Sequence, residues 1–272
     1  MTKNKSTFDK YGVSHIAMIS LRAEPSERVE MVSQLLFGEV YQVIDEQEKW
    51  LRVRIVDGGY EGWLDRKLYN RLHPKDVEDY LTAEKFFLEE TFFYIRDFET
   101  NITFPIFCGS SFPYPKDGIL ILGDYIFMIQ LPEKKEVSSH PSLSPKQYQL
   151  LNFVSGYLGA PYLWGGRTPA GIDCSGLVQN AFKSIGIQLP RDASQQVACG
   201  ENVDFVETAQ SCDVAFFQNE NGDITHTGIV TAPGKIIHAS GKVAIDILDS
   251  TGIFNHKSNL YTHSLRIIKR LL

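Results

Sequence analysis

The chain has 272 residues, length enough for about two domains with a core in each. Its composition, 43% hydrophobic and 22% charged, excludes a disordered chain, and no run approaches the roughly 18 apolar residues of a membrane span. The formal net charge of -6, with no Lys/Arg block or basic stripe, argues against a nucleic-acid partner.

The first 25 residues carry two lysines but no continuous apolar core ahead of a small-residue cleavage site, so as written they are not a secretory signal. Such a chain works in the cytoplasm, or in the periplasm or cell envelope if a leader has been removed. From Val13 to about Tyr69 come short β-rich runs, SHIAMISL, EMVSQLLFGEVYQVIDE, WLRVRIV and GYEGWLDRKLY, separated by turn residues. In WLRVRIV, Leu51, Val53 and Ile55 alternate with Arg52 and Arg54, as a half-exposed antiparallel strand requires. The order LRAEPS, Q-LLFGE, W-x-x-V, Y-E-G-W-L resembles a bacterial SH3-like cell-wall module, and its competitor is a generic small β-barrel. The expected first domain is 13–70.

Asp76 to Phe87 has the spacing of a short helix. From about Glu89 to Leu131 a second β-rich region follows, so 71–131 reads as a second β-rich, SH3-like domain, inferred from strand count because the first module's motifs do not repeat cleanly. The polar, Pro/Ser-rich stretch 132–143 reads as a linker. The last domain is then 144–272. It opens with PKQYQLLNFVSGYLG, where Tyr148, Leu151, Val154 and Leu158 stand at helical spacing before Gly159.

The run from Tyr162 to Gln196 combines a glycine turn, a cysteine and an amphipathic helix. Leu177, Val178, Ala181, Phe182 and Ile185 define one buried face, and Gly186 is the stop signal. Asp173 or Cys174 starts that helix, so the thiol faces unpaired N–H groups and the positive end of the macrodipole, a setting that favours thiolate. The alternative is a small buried hydrophobe, the commonest fate of a free cysteine. The remaining runs, DVAFFQ, THTGIVTA, KIIHAS, KVAIDIL and YTHSLRIIKRLL, suggest a mainly antiparallel sheet after the helices, an α+β order.

A cysteine nucleophile needs a base, and the base an orienter. His226 lies in THTGIV and His238 follows twelve residues later, the separation of neighbours on two antiparallel strands joined by the turn APGK. The competing reading makes both strand histidines satisfied by backbone groups. His15, His73, His140, His256 and His263 fit no motif. Cys108, Cys174, Cys199 and Cys212 are widely spaced, without C-x-x-C, and read as free thiols. With no phosphate loop and no metal-ligand motif, neither a metal nor an organic cofactor is expected.

The runs YLWGG, DCSGLVQNAF, LPRDASQQ, DVAFF, HTGIV and IIHAS, in that order, resemble the NlpC-type cell-wall cysteine peptidases across nearly all of 144–270. The resemblance implies a papain-like fold behind the SH3-like barrels. It makes Cys174 the nucleophile, His226 the general base and His238 the orienting residue. Tyr162 becomes an oxyanion donor beside the Cys174 amide, with a packed aromatic as its plainer role. Gly165 and Gly166 become a turn bringing backbone close to substrate. Ala193 stands where the family often has serine, so a side-chain hydrogen bond from that position is absent here.

The SH3-like region ahead of such a domain resembles the branch of γ-D-glutamyl-L-diamino acid endopeptidases acting on muropeptides with a free N-terminal L-Ala, where the first module roofs one end of the groove. That implies peptidoglycan-derived peptides as partners. Asp173, with Ser175 nearby, becomes a contact for the substrate amine, or else only a helix N-cap. Tyr60 and one of Glu24, Glu30 or Glu39 are further amine contacts, Glu30 preferred, against the reading of a solvated glutamate. Arg191 and Asp192 occupy the substrate-side loop, where Arg191 pairs a D-Glu carboxylate or sits on the surface. Two other readings stay open: a thiol amidase or acyltransferase with the same residues, and a wall-binding protein without catalysis.

Overall fold

The structure is a computed structural model that describes residues 10–132 and 140–272; residues 133–139, most of the expected linker, lie outside the described residues. The chain divides into two compact units, 1–134 and 135–272.

In the first unit, β1 (Tyr11–Val13), β2 (Met18–Arg22), β3 (Met31–Leu36), β4 (Val40–Glu46), β5 (Trp50–Ile55) and β6 (Glu61–Asp65) form a six-stranded sheet of order β1-β4-β5-β6-β2-β3. The single apolar run EMVSQLLFGEVYQVIDE is two strands, because Gly38, at φ 83°, turns the chain between them. Alternation on β5 buries Leu51, Val53 and Ile55 against Ile19, Leu21, Leu35 and Leu64, while Arg52 and Arg54 reach out to Glu61 at 2.8 and 2.6 Å. Such exposed pairs contribute about 0–1 kcal/mol, so burial of the opposite face stabilises the barrel.

The expected helix over 76–87 is shorter. The helix α1 (Pro74–Thr82) starts on a proline, and Lys85–Phe87 is a strand, β7, paired with β10 (Ser111–Pro113). Then β8 (Phe92–Asp97), β9 (Thr103–Phe107), β11 (Ile119–Leu122) and β12 (Tyr125–Met128) form a four-stranded sheet. Its Ile95, Ile106, Leu120 and Phe127 share a core cluster with Val13, Phe37 and Val40 from the first six strands, so the two β-rich regions have apolar core in common.

In the second unit, α2 (Pro145–Ser155) begins with a capping box between Ser144 and Gln147. It ends at Ser155, four residues before the expected Gly159, and Leu150, Phe153 and Val154 face inward together with Tyr157, while Leu158 is exposed. After a short hairpin of β13 (Arg167–Thr168) and β14 (Gly171–Ile172) come α3 (Cys174–Lys183) and α4 (Ala193–Gln196). The remaining strands, β15 (Glu201–Val203), β16 (Val214–Gln218), β17 (Ile224–Ala232), β18 (Lys235–Ser240), β19 (Lys242–Leu248), β20 (Gly252–Asn255) and β21 (Leu260–Arg270), are all antiparallel. The long β21 pairs with β20 through its first half and with β16 through its second, closing the sheet on itself and leaving β15 as a flap on β21. Ala215, Phe217, Val230, Ile236, Leu248, Ile253 and Ile268 form one buried cluster of this sheet, and α3 packs on β17 and β18. None of the helices among the described residues is long and apolar enough to cross a membrane.

Candidate active site

Asp173 is the N-cap of α3, its Oδ1 accepting the Gly176 N–H at 2.7 Å, and Cys174 is the first helical residue. The Cys174 amide, at that position, has no acceptor within the helix. The glycine pair of YLWGG shapes the cradle for this cap. Gly165, at φ 75°, turns its N–H onto Asp173 Oδ2 at 2.8 Å, and the Gly166 carbonyl accepts the Asp173 N–H at 3.3 Å. Gly176 is required by close approach, since a Cβ there would stand 2.6 Å from the Gly166 carbonyl oxygen.

Arg191 does not lie on the surface: it is 2% exposed and grips Asp173 with both terminal nitrogens, Nη1 at 2.9 Å from Oδ1, while also donating to Ser175 Oγ at 2.9 Å. Ser175 Oγ is in turn 3.3 Å from Asp173 Oδ1. The Asp173 carboxylate therefore receives two backbone amides, a hydroxyl and a guanidinium fork, filling its roughly four lone-pair sites. The half-buried Asp192 caps α4, its carbonyl accepting the amides of Gln195 and Gln196. Gln196, unremarked in the sequence, donates to the carbonyls of Ser175 at 3.0 Å and Pro190 at 2.8 Å and so ties α4 to the first turn of α3.

The Cys174 thiol does not show the acidity expected of a helix start. Burial, followed by the Asp173 charge, pushes it up to about 11, against the N–H groups of Thr227 and Ser175 and the guanidinium of Arg191, which pull it down. The thiol is protonated at neutral pH. Tyr162, half-buried, is raised to about 12 by burial and then by the charges of Cys174 and Asp173, so its phenol keeps its proton as a donor.

His226 on β17 stands diagonally across from His238 on β18, because Gly228 pairs with His238, and the two rings meet with Nε2 of His226 2.9 Å from Nδ1 of His238. Both imidazoles continue apolar rows of their strands, two residues from Gly228 and Ile236, and both are buried. Burial first, then His263 and His238, holds His226 well below the usual histidine range, and burial lowers His238 against the pull of Asp246.

Asp246 and His263 escape sequence reading. Asp246 on β19 lies 3.2 Å from His238 Nε2. Its signal was a lone carboxylate in the strand KVAIDIL, diagonal to His238 across the hairpin that pairs His238 with Ala244. His263 on β21 stacks on His226 with centroids 4.0 Å apart and planes at 23°. No spacing signals it, because β20 and β21 close the sheet from a distant part of the chain. The nitrogens of His226, His238 and His263 lie within 4.8 Å of one another, the residue types of a metal centre. His226 Nε2 and His238 Nδ1 are engaged with each other, so that pair as built is a hydrogen-bonded relay.

In the first unit, Glu30 and Glu24 are exposed, Tyr60 is half-buried against the barrel core, and Glu39 is buried with Oε2 on the Leu36 amide at 2.9 Å.

Residues 159–261 match the NlpC/P60 family, and residues 21–67 match the bacterial dipeptidyl-peptidase Sh3 domain. A gamma-D-glutamyl-L-lysine dipeptidyl-peptidase of Bacillus subtilis is 27% identical over 230 residues, covering 80% of this chain and 76% of that protein. A protein of the same name from Bacillus cereus is 27% identical over 77% of this chain and 67% of its own length. The crystal structure of an NlpC/P60 family protein from Bacillus cereus superposes with a TM-score of 0.77 at 20% identity, over 96% of this chain and 99% of that one, and shares the fold. The first six strands are thus an SH3-like all-β region, and the second unit, papain-like in fold, carries a cysteine-peptidase domain of the NlpC/P60 type.

Proposed function

We propose that this hydrolase cleaves the γ-D-glutamyl to diamino-acid bond of peptidoglycan stem peptides carrying a free N-terminal L-Ala, with Cys174 as nucleophile and His226 as base. The observation that supports it most is the hydrogen-bonded pair His226–His238 on β17 and β18, packed beside the helix that begins with Cys174. The two dipeptidyl-peptidase relatives, which span both units, support the substrate.

Thiol and base rest as a neutral pair, since the thiol sits near 11 and the imidazole well below its ordinary value. The thiol proton passes to His226 as sulfur attacks the carbonyl carbon, forming the C–S bond and the oxyanion. The Cys174 amide and the Tyr162 hydroxyl donate to that oxygen. Collapse expels the amine of the diamino acid, which takes the proton from His226 and leaves a thioester. Water, deprotonated by His226, then releases the γ-D-glutamyl product and the thiol.

Asp173, with its lone pairs engaged, serves the substrate amine by its charge and by holding Ser175 and Arg191, not by a vacant acceptor. In this reading Arg191 acts on the D-Glu carboxylate from its anchored position, Asp192 shapes the same loop, and Glu30 and Tyr60 contribute to amine recognition.

Mass spectrometry of L-Ala-γ-D-Glu-diaminopimelate incubated with the wild type and with Cys174→Ala tests the reading. Release of L-Ala-γ-D-Glu by the wild type alone is expected, and turnover by the variant would sink it. Equal cleavage of the peptide with its L-Ala amine free and amide-linked would refute the amine requirement.

A further inference from the structure

The polarity of the relay beneath His226 is dictated by groups that cannot reverse it. Asn255, the last residue of β20, accepts the backbone N–H groups of Lys257 and Ser258 on its Oδ1, each at 3.1 Å. A main-chain N–H can only donate, so the amide of Asn255 is held with oxygen toward the turn and Nδ2 outward. That Nδ2 lies 3.2 Å from both Oδ1 and Oδ2 of Asp246. Asp246, whose side chain is 16% exposed, accepts there and again 3.2 Å from His238 Nε2.

A carboxylate that accepts from Asn255 on both oxygens offers His238 no proton, so His238 carries its own on Nε2 and presents the lone pair of Nδ1. The partner nitrogen 2.9 Å away, Nε2 of His226, must then be the N–H. His226 is left with its lone pair on Nδ1, the state a base requires.

We infer that Asp246, oriented by Asn255 and the 255–258 turn, is a positioning residue that sets the tautomer of His238 and, through it, of His226. The inference rests on His226 being the general base of the proposed reaction. Asp246→Asn inverts the chain: the new amide turns its oxygen to Asn255 Nδ2 and its N–H to His238, whose proton moves to Nδ1. His226 is then protonated on Nδ1 and cannot accept from the thiol.

The test combines imidazole 15N NMR of the full chain with steady-state kinetics on L-Ala-γ-D-Glu-diaminopimelate. In the wild type, both His226 and His238 are expected as Nε2–H tautomers; His238 found as Nδ1–H would overturn the inference without any variant. Asp246→Asn is expected to move the His238 proton to Nδ1 and lower kcat by about a hundredfold to ten-thousandfold, the upper figure being the cost of the same change beneath a triad histidine, with KM nearly constant. Asn255→Ala, which frees the carboxylate without inverting it, is expected to keep both tautomers and lose about tenfold in kcat, the equivalent of one hydrogen bond. An unmoved His238 tautomer in Asp246→Asn would overturn the inference whatever the activity. Inverted tautomers with undiminished turnover would instead overturn His226 as the base.

Discussion

Two polar clusters converge on the start of α3, and they are built on opposite principles. Around Asp173 every lone pair is engaged: Gly165, Gly176, Ser175 and Arg191 all donate to one buried carboxylate. Along His226, His238 and Asp246 the hydrogen bonds run in a single file, one group to the next. A saturated cluster holds shape, because any rearrangement leaves a buried charge unpaired. A single file can pass the effect of one proton along its length, because each member has one changeable state. The thiol lies where the two meet, Asp173 raising its pKa on one side and the Thr227 N–H, next in sequence to His226, lowering it on the other.

The largest expected effect is loss of the thiol itself: Cys174→Ala should reduce turnover to background, about a millionfold for a nucleophile of this kind, with an unchanged melting curve. Next in size, Arg191→Ala should break the saturated cluster and cost about 3–5 kcal/mol of stability, since it strands a buried carboxylate. Chemical denaturation checks this, and a loss below about 1 kcal/mol would erase the contrast between the two clusters.

A smaller effect concerns pH. Because His226 is held well below 6.5, it stays neutral, and competent as a base, as pH falls through the ordinary histidine range. The acid limb of kcat/KM is therefore expected below that range. His263→Phe, removing one of the groups that lower His226, should move the limb upward; a limb that stays in place would show that the stack does not tune the base. In the same vein, alkylation of Cys174 by iodoacetamide should be slow at neutral pH and climb toward about 11, where the thiol ionises. The smallest effect is expected for Glu30→Gln, a rise of a few-fold in KM for the free-amine peptide with kcat unchanged, roughly 1 kcal/mol of an exposed charge interaction.

Local pattern accounts for much of what was read from the chain alone. The alternation of Leu51, Val53 and Ile55 has the period of the strand that buries them, and Leu177, Val178, Ala181 and Phe182 have the period of α3. Element ends were less legible, since turns and caps depend on single residues: α1 stops at Thr82 and α2 at Ser155, and one apolar run breaks in two at Gly38. The spacing of His226 and His238 was readable because one hairpin joins them.

By itself the sequence determined the order of elements, the position of Cys174 at a helix start and the hairpin that makes two histidines neighbours, because each of these depends on contacts a few residues apart. Only the tertiary structure decided how acidic the thiol is, that Arg191 is buried on Asp173, and that Asp246, Asn255 and His263 belong to the histidine cluster. The reason is physical: desolvation and hydrogen-bond polarity depend on everything that packs around a group, and β20 and β21 bring those groups in only when the sheet closes.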